Sequence, residues 1–75
     1  MYKRIKELRE DNDLLQKQIA ITLNITRQQY GLYENGEREI PIKKLEILAD
    51  FYNTSIDYIV GRTDVTKPYP NRKEK

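Results

Sequence analysis

Residues 16–36 read QKQIAITLNITRQQYGLYENG, and this stretch decides the fold. Apolar residues recur at helical spacing in its first half and predict a helix over about residues 15–23. Asn24 follows, and asparagine tolerates the left-handed backbone that ends many helices. Thr26 is a good N-cap for a next helix over about residues 27–34, which an Asn-Gly pair ends. Two short helices therefore meet at a tight corner.

Three more helices are predicted around this pair. Apolar residues at helical spacing predict a first helix over about residues 2–11 and a fourth over about residues 41–52, with Pro41 in its first turn. Ser55 is a suitable cap for a short fifth helix over residues 56–60.

The last residues, 62–75, have a different character. They include two prolines and five basic residues and show no apolar periodicity. The sequence therefore predicts an all-α fold, a compact five-helix domain over residues 1–61, followed by a short, disordered, basic tail.

Composition excludes several kinds of chemistry within these residues. Seventy-five residues fit one domain, and they include no cysteine and no histidine. Disulfides, Cys/His metal sites, and thiol or histidine catalysis are therefore excluded, and we expect no enzyme activity, metal or cofactor. The sequence contains no run of about 18 apolar residues, so we expect no membrane span. A small domain without disulfides suits the cytoplasm.

Charge is unevenly distributed along the chain. Residues 1–61 carry nine Lys/Arg and ten Asp/Glu, a net charge of −1, whereas residues 62–75 carry five and two, a net charge of +3. The folded part is therefore not basic as a whole. A nucleic-acid partner must be argued from where the basic and amide groups lie.

The helix over residues 27–34 has two unlike sides. Tyr30 and Tyr33 are its large apolar residues, so we expect them to face the core, which leaves the opposite side to face outward. That side presents Arg27, Gln28 and Leu32. Arginine and glutamine have forks that match guanine and adenine edges, and leucine suits a thymine methyl group. The alternative is an ordinary solvated side, with Leu32 packed on the fourth or fifth helix.

Two small residues favour the DNA interpretation. Gly31 in a helix interior costs about 0.5–1 kcal/mol relative to alanine, and close approach of the backbone to another surface would explain it. Ala20 lies where the two helices of the corner should cross, and a small side chain there allows a steep crossing. The two helices over about residues 15–23 and 27–34 are therefore interpreted as a helix-turn-helix that reads DNA.

The residues around this motif resemble the phage repressor/Cro family of helix-turn-helix regulators, the XRE family. The matching residues are Leu8, Arg9, Gln16, Ala20, Leu23, Ile25, Thr26, Tyr33, Glu34, Asn35, Gly36, Pro41, Leu45, Ala49, Ser55, Ile56 and Asp57. The resemblance covers about residues 3–61. It implies a repressor-like five-helix domain whose second helix crosses the DNA backbone and whose third lies in the major groove.

The resemblance also implies roles for single positions. Base-reading positions are occupied by Arg27, Gln28 and Leu32, with Gln29 able to reach a base or a phosphate. Phosphate-contacting positions are occupied by Gln16, Asn35 (through its backbone N–H or side chain), Arg38 and Lys43. Ordinary solvated surface is the alternative for the last two. Arg9 and Glu34 match positions that form a buried ion pair, the alternative being a surface pair worth under about 1 kcal/mol.

Three residues depart from the family pattern. Leu15 stands where a Thr or Ser cap is usual, so we expect the second helix to start earlier, capped by Asp13. Asn24 replaces the commoner glycine. Gly31 leaves one base position without a side chain to read it.

The sequence thus predicts a sequence-specific double-stranded DNA-binding regulator of bacterial or phage type, most often a repressor. Because one such domain reads few base pairs, we expect a homodimer on a palindromic operator, joined through the fifth helix and the loop before the fourth. The main alternative is an antitoxin or other protein-binding module that uses exposed Leu32, Tyr52 and Tyr58. A weaker one is a DNA binder without sequence preference.

Overall fold

The computed structural model describes residues 2–69, and this part of the chain contains five helices and no strand. They are α1 (Lys3–Asp11), α2 (Gln16–Leu23), α3 (Arg27–Glu34), α4 (Ile42–Phe51) and α5 (Ile56–Ile59). The predicted all-α, five-helix fold is confirmed. The predicted tail, residues 62–75, is described only as far as Tyr69.

All five helices contribute to one apolar core. The buried apolar side chains are Ile5, Ile19, Ala20, Leu23, Tyr30, Ile40, Leu45, Leu48, Ala49 and Ile59. Tyr30 is fully buried, and Tyr33 packs against the core from its edge. Burying a large apolar side chain contributes about 1.5–3 kcal/mol, so these two tyrosines fix the rotation of α3 about its axis. The opposite side of α3 faces outward.

Each of these helices ends in a Schellman motif, in which a left-handed residue is followed by an N–H that donates to the carbonyl five residues earlier. The left-handed residues are Asp13, Asn24, Gly36, Asn53 and Gly61, with φ between 55° and 88°. At the corner between α2 and α3, the N–H of Ile25 donates to the carbonyl oxygen of Ala20 at 3.0 Å. This motif satisfies the last carbonyls of α2 and reverses the chain within a few residues.

The expectation that Asp13 caps an earlier start of α2 is wrong. Asp13 instead belongs to the end of α1, and Leu15 is the N-cap of α2. Because leucine has no side-chain acceptor, only half of a capping box forms, in which the N–H of Leu15 donates to Gln18 Oε1 at 2.7 Å. Pro41 also lies just outside its helix, as the N-cap of α4 rather than in its first turn.

The segment after α5 contacts the helices. Arg4 Nη1 donates to the carbonyl oxygens of Tyr58 and Thr63 at 2.8 and 2.6 Å. Arg4 Nη2 lies 2.6 Å from Asp64 Oδ1. Farther along, the hydroxyl of Tyr69 donates to a carboxylate of α5 at 2.6 Å. The sequence of this segment, which has no apolar periodicity, gives no sign of these contacts.

Candidate nucleic-acid interface

A shallow depression lies between the outward side of α3 and the beginning of α2. It is lined by Gln16, Arg27, Gln28, Gly31, Leu32 and Asn35. Five of the eight residues predicted to contact DNA therefore meet at one surface. The other three, Gln29, Arg38 and Lys43, do not line it.

Beneath this depression, a buried ion pair joins α1 to the end of α3. Arg9 Nε lies 2.6 Å from Glu34 Oε2, and Arg9 Nη2 donates to Glu34 Oε1 at 3.2 Å. A third donor, Arg9 Nη1, binds the carbonyl oxygen of Leu14 at 2.9 Å. The side chains of Arg9 and Glu34 are only 13% and 2% exposed. The pair is therefore not a loose surface contact, and it fixes the end of α3 relative to α1.

Gln16 connects this ion pair to the surface. Its Nε2 donates to Glu34 Oε1 at 3.0 Å, and its Oε1 accepts a hydrogen bond from Arg27 Nη1 at 3.3 Å. The carboxylate thereby orients the glutamine amide, and the amide orients the arginine. The bond to Arg27 uses one of the five N–H donors of the guanidinium. No pattern in the sequence indicates this chain of contacts.

The charges of this network are well defined. Burial alone would raise the pKa of Glu34, but the hydrogen bonds it accepts, led by that from Arg9, outweigh burial and hold the pKa below its usual value. Burial raises the pKa of nearby Tyr52 to about 12 and also raises that of Tyr30. Neither hydroxyl has a hydrogen bond of standard geometry within residues 2–69. Both phenols therefore stay neutral while Glu34 is ionised.

Gln29 has a structural partner, Thr26, in addition to its predicted contact with DNA. The N–H of Gln29 donates to Thr26 Oγ1 at 3.1 Å, and the N–H of Thr26 donates to Gln29 Oε1 at 3.1 Å. This is a capping box at the start of α3, and the Thr-x-x-Gln pattern was its signal. The cap occupies the amide oxygen of Gln29, which leaves its NH₂ group for any contact with DNA.

The resemblance implies that Asn35 contacts a phosphate through its backbone N–H or its side chain, and the backbone N–H already has a partner within the fold. This N–H donates to the carbonyl oxygen of Gly31 at 2.9 Å and so completes the last turn of α3. The next N–H groups, of Gly36 and Glu37, are also engaged by carbonyls of α3. Only the exposed side chain of Asn35 is left to reach a phosphate.

Two basic residues predicted to contact phosphates lie in the loop after α3 and in the first turn of α4. Arg38 and Lys43 are both exposed, and within residues 2–69 neither side chain has a hydrogen bond or an ion pair. Lys44 differs, because its Nζ donates to the carbonyl oxygen of Leu23 at 2.8 Å. This bond ties α4 to the end of α2, and no pattern in the sequence indicates it.

The predicted protein-binding surface of Leu32, Tyr52 and Tyr58 is not an exposed apolar patch, because all three residues are half-buried. Leu32 lies in the depression, Tyr52 packs against the core, and the guanidinium of Arg4 lies 4.1 Å from the centre of the Tyr58 ring. Among residues 2–69, the large apolar side chains that are exposed are Leu15, Ile21, Ile42, Ile47, Phe51, Val65 and Tyr69.

Across residues 2–69, no group of three or more His, Cys, Asp or Glu side chains is placed to hold a metal ion. None of the five helices is long and apolar enough to cross a membrane.

Comparison with known proteins identifies the family of this fold. Residues 5–59 match the family model described as Helix-turn-helix. This chain belongs to the XRE-type helix-turn-helix family of transcriptional regulators.

Two curated proteins and one solved structure show how far the similarity extends. The chain is 40% identical over 70 residues to the uncharacterized HTH-type transcriptional regulator YobD of Bacillus subtilis, which covers 93% of the chain and 62% of YobD. It is 33% identical over 66 residues to the antitoxin PezA of Streptococcus pneumoniae, covering 88% of the chain and 42% of PezA. The crystal structure of a transcriptional regulator from Listeria innocua superposes with a TM-score of 0.77 at 29% identity, covering 95% of this chain and 65% of that one.

Proposed function

We propose that this chain is a sequence-specific double-stranded DNA-binding regulator that reads the major groove with α3. The depression on α2 and α3 carries the proposal. Side chains suited to base edges lie together on the outward side of α3, and the buried Arg9–Glu34 pair holds that helix in place. Residues that are held in position lose less conformational entropy when they bind.

Each lining residue has a chemical partner on a duplex. The fork of Arg27 suits guanine O6 and N7, that of Gln28 suits adenine N6 and N7, and Leu32 suits a thymine methyl group. The amides of Gln16 and Asn35 are suited to phosphate oxygens at the edge of the depression. Contacts with bases would select the sequence, whereas contacts with phosphates would set the register.

Three further positions complete the proposed interface. Arg38 and Lys43 would reach phosphates from the loop after α3 and from the start of α4, since both are exposed. The NH₂ group of Gln29 would reach a base or a phosphate from the first turn of α3.

Repression and dimerisation are the expected mode of action. Two copies on a palindrome, with half-sites about one helical turn apart, would double the length of sequence that is read. We propose that they associate through α5 and the loop before α4, and that they occupy an operator in the bacterial cytoplasm and exclude polymerase. This role requires no bond making and no cofactor.

The proposal is tested by changing Gln28→Ala. Losing a bidentate base contact should weaken binding to the chosen operator by about 1–3 kcal/mol and leave binding to random DNA nearly unchanged. Fluorescence anisotropy at fixed salt measures both affinities. Gln18→Ala is the matched control, because it removes an amide that caps α2 and does not line the depression. Equal losses of Gln28→Ala on operator and random DNA would contradict base reading by this residue.

An antitoxin-type function is the second candidate, and the similarity to the antitoxin PezA favours it. In that case a partner protein would bind this fold and DNA binding would be secondary. A neighbouring small reading frame whose product co-purifies with the chain would support this function. A binder without sequence preference is distinguished by salt, because its affinity should fall equally steeply for all sequences.

A further inference from the structure

Gly31 lies in the interior of α3, at a position where nothing in the described fold requires a glycine. Its φ is outside the left-handed region that favours glycine. Apart from its chain neighbours and the adjacent backbone of α3, a Cβ at this position would have Gln16 Oε1 as its nearest neighbour, at 3.9 Å, which is an ordinary van der Waals distance. Glycine in a helix interior is less stable than alanine. Within residues 2–69, an alanine would therefore fit and would stabilise α3.

The absent side chain leaves open a part of the depression that differs from its surroundings. The Cα of Gly31 and the half-buried side chain of Leu32 are apolar, whereas Gln16, Gln28 and Asn35 around them carry amides. In the major groove, the apolar group that a base pair presents is the 5-methyl group of thymine. The small apolar area of the depression matches that group, and the amides around it match polar base edges and phosphates.

We propose that Gly31 and Leu32 form a slot that receives the methyl group of one operator thymine. The lack of a side chain at position 31 brings the backbone of α3 close to the base edge, so that the methyl group contacts the Gly31 Cα and the Leu32 side chain. This inference rests on the proposed DNA-reading function. It assigns a base specificity to the position that has no side chain to read with.

The test uses the operator obtained by selection, in which each thymine is replaced in turn by deoxyuridine, which lacks only the methyl group. Each half-site should contain one thymine whose replacement lowers the affinity of the wild-type chain for the operator roughly fourfold. This loss corresponds to one buried methyl group. Gly31→Ala should weaken binding to the unmodified operator roughly tenfold. Both Gly31→Ala and Leu32→Ala should abolish most of the effect of deoxyuridine at that thymine.

The controls separate this slot from the proposed function. Gly31→Ala should melt at or above the wild-type temperature and bind random DNA as the wild type does. One outcome would overturn the slot and leave the DNA-reading function standing. In it, Gln28→Ala loses affinity for the operator but not for random DNA, while Gly31→Ala binds the operator like the wild type. A lower melting temperature for Gly31→Ala, or no thymine sensitive to loss of its methyl group, would also overturn the slot. Failure to select any operator would overturn the function and the slot together.

Discussion

Two arginines of α1 each pair with a carboxylate at the same distance, but one pair is buried and the other is more exposed to solvent. Arg9 and Glu34 are 2.6 Å apart, with side chains 13% and 2% exposed. Arg4 and Asp64 are also 2.6 Å apart, but their side chains are 24% and 96% exposed. Solvent screens the second pair and barely reaches the first. Burial, rather than the distance between the charged atoms, therefore decides how much each pair contributes.

The two pairs also hold different regions of the molecule. The buried pair positions α3 and, through Gln16, orients Arg27 in the depression. The exposed pair joins the start of α1 to the segment that follows α5. The first pair thus supports the proposed DNA-reading surface, and the second attaches the segment after α5 to α1.

Removing each carboxylate separately should give the largest difference. Glu34→Ala leaves the charge of Arg9 buried without a partner, so we expect a loss of about 3–5 kcal/mol in the free energy of unfolding. For a domain of this size, the melting temperature should fall by at least about 12 °C. Asp64→Ala should cost less than about 1 kcal/mol. Thermal and urea unfolding measure both, and similar losses for the two variants would refute the role assigned to burial.

Acid should weaken the buried pair, with a smaller effect. The pKa of Glu34 is lower in the folded protein than its usual value of about 4.3. The ionised carboxylate therefore stabilises the fold fully above about pH 4.3, and this contribution is lost as the pH falls through the folded-state pKa. We expect the melting temperature of Glu34→Gln to depend less on pH in this acidic range than that of the wild type. If the melting temperatures of Glu34→Gln and the wild type depended on acidic pH to the same extent, a depressed pKa of Glu34 would be contradicted. Asp64→Asn serves as the control.

Truncation should have the smallest effect. Deleting residues 65–75 keeps the contacts of Arg4 with Thr63 and Asp64. Among the described hydrogen bonds it removes two exposed ones, from the Tyr69 hydroxyl to Asp57 and from the Val65 N–H to Thr63 Oγ1. We expect the melting temperature to stay unchanged within error. Deleting residues 63–75 should lower it measurably, because Arg4 then loses two partners. A large fall on the first deletion would show that Tyr69 or its neighbours dock more firmly than these contacts indicate.

The helices were predictable because their signals are local. Apolar spacing predicted α1, α2 and α4, and capping residues predicted α3 and α5. Helix α3 spans Arg27–Glu34, the range that the sequence indicated. Asn24 and Gly36 marked helix ends and both adopt left-handed backbone. The outward side of α3 followed from the inward side of Tyr30, since residues of a helix lie at a fixed angle to one another. This is why Gln28 and Leu32 were predicted to share one surface.

The contacts that orient the interface were not predictable in the same way. The hydrogen bonds of Gln16 with Arg27, of Lys44 with the end of α2 and of Arg4 with Asp64 join residues 11, 21 and 60 positions apart. Such pairs depend on how the helices pack, and periodicity does not show which side chains meet. Periodicity also indicates a side rather than a depth, so Tyr52 was expected to be exposed but is half-buried.

The claim that α3 reads DNA is tested most directly by selecting bound duplexes from a random pool with the wild-type chain. We expect a palindromic consensus whose two half-sites lie about one helical turn apart. In the same selection, Gln28→Ala should lose the preference at one position of each half-site. A pool that stays random through successive rounds would contradict base reading by α3, as would a consensus that is identical for the wild type and Gln28→Ala.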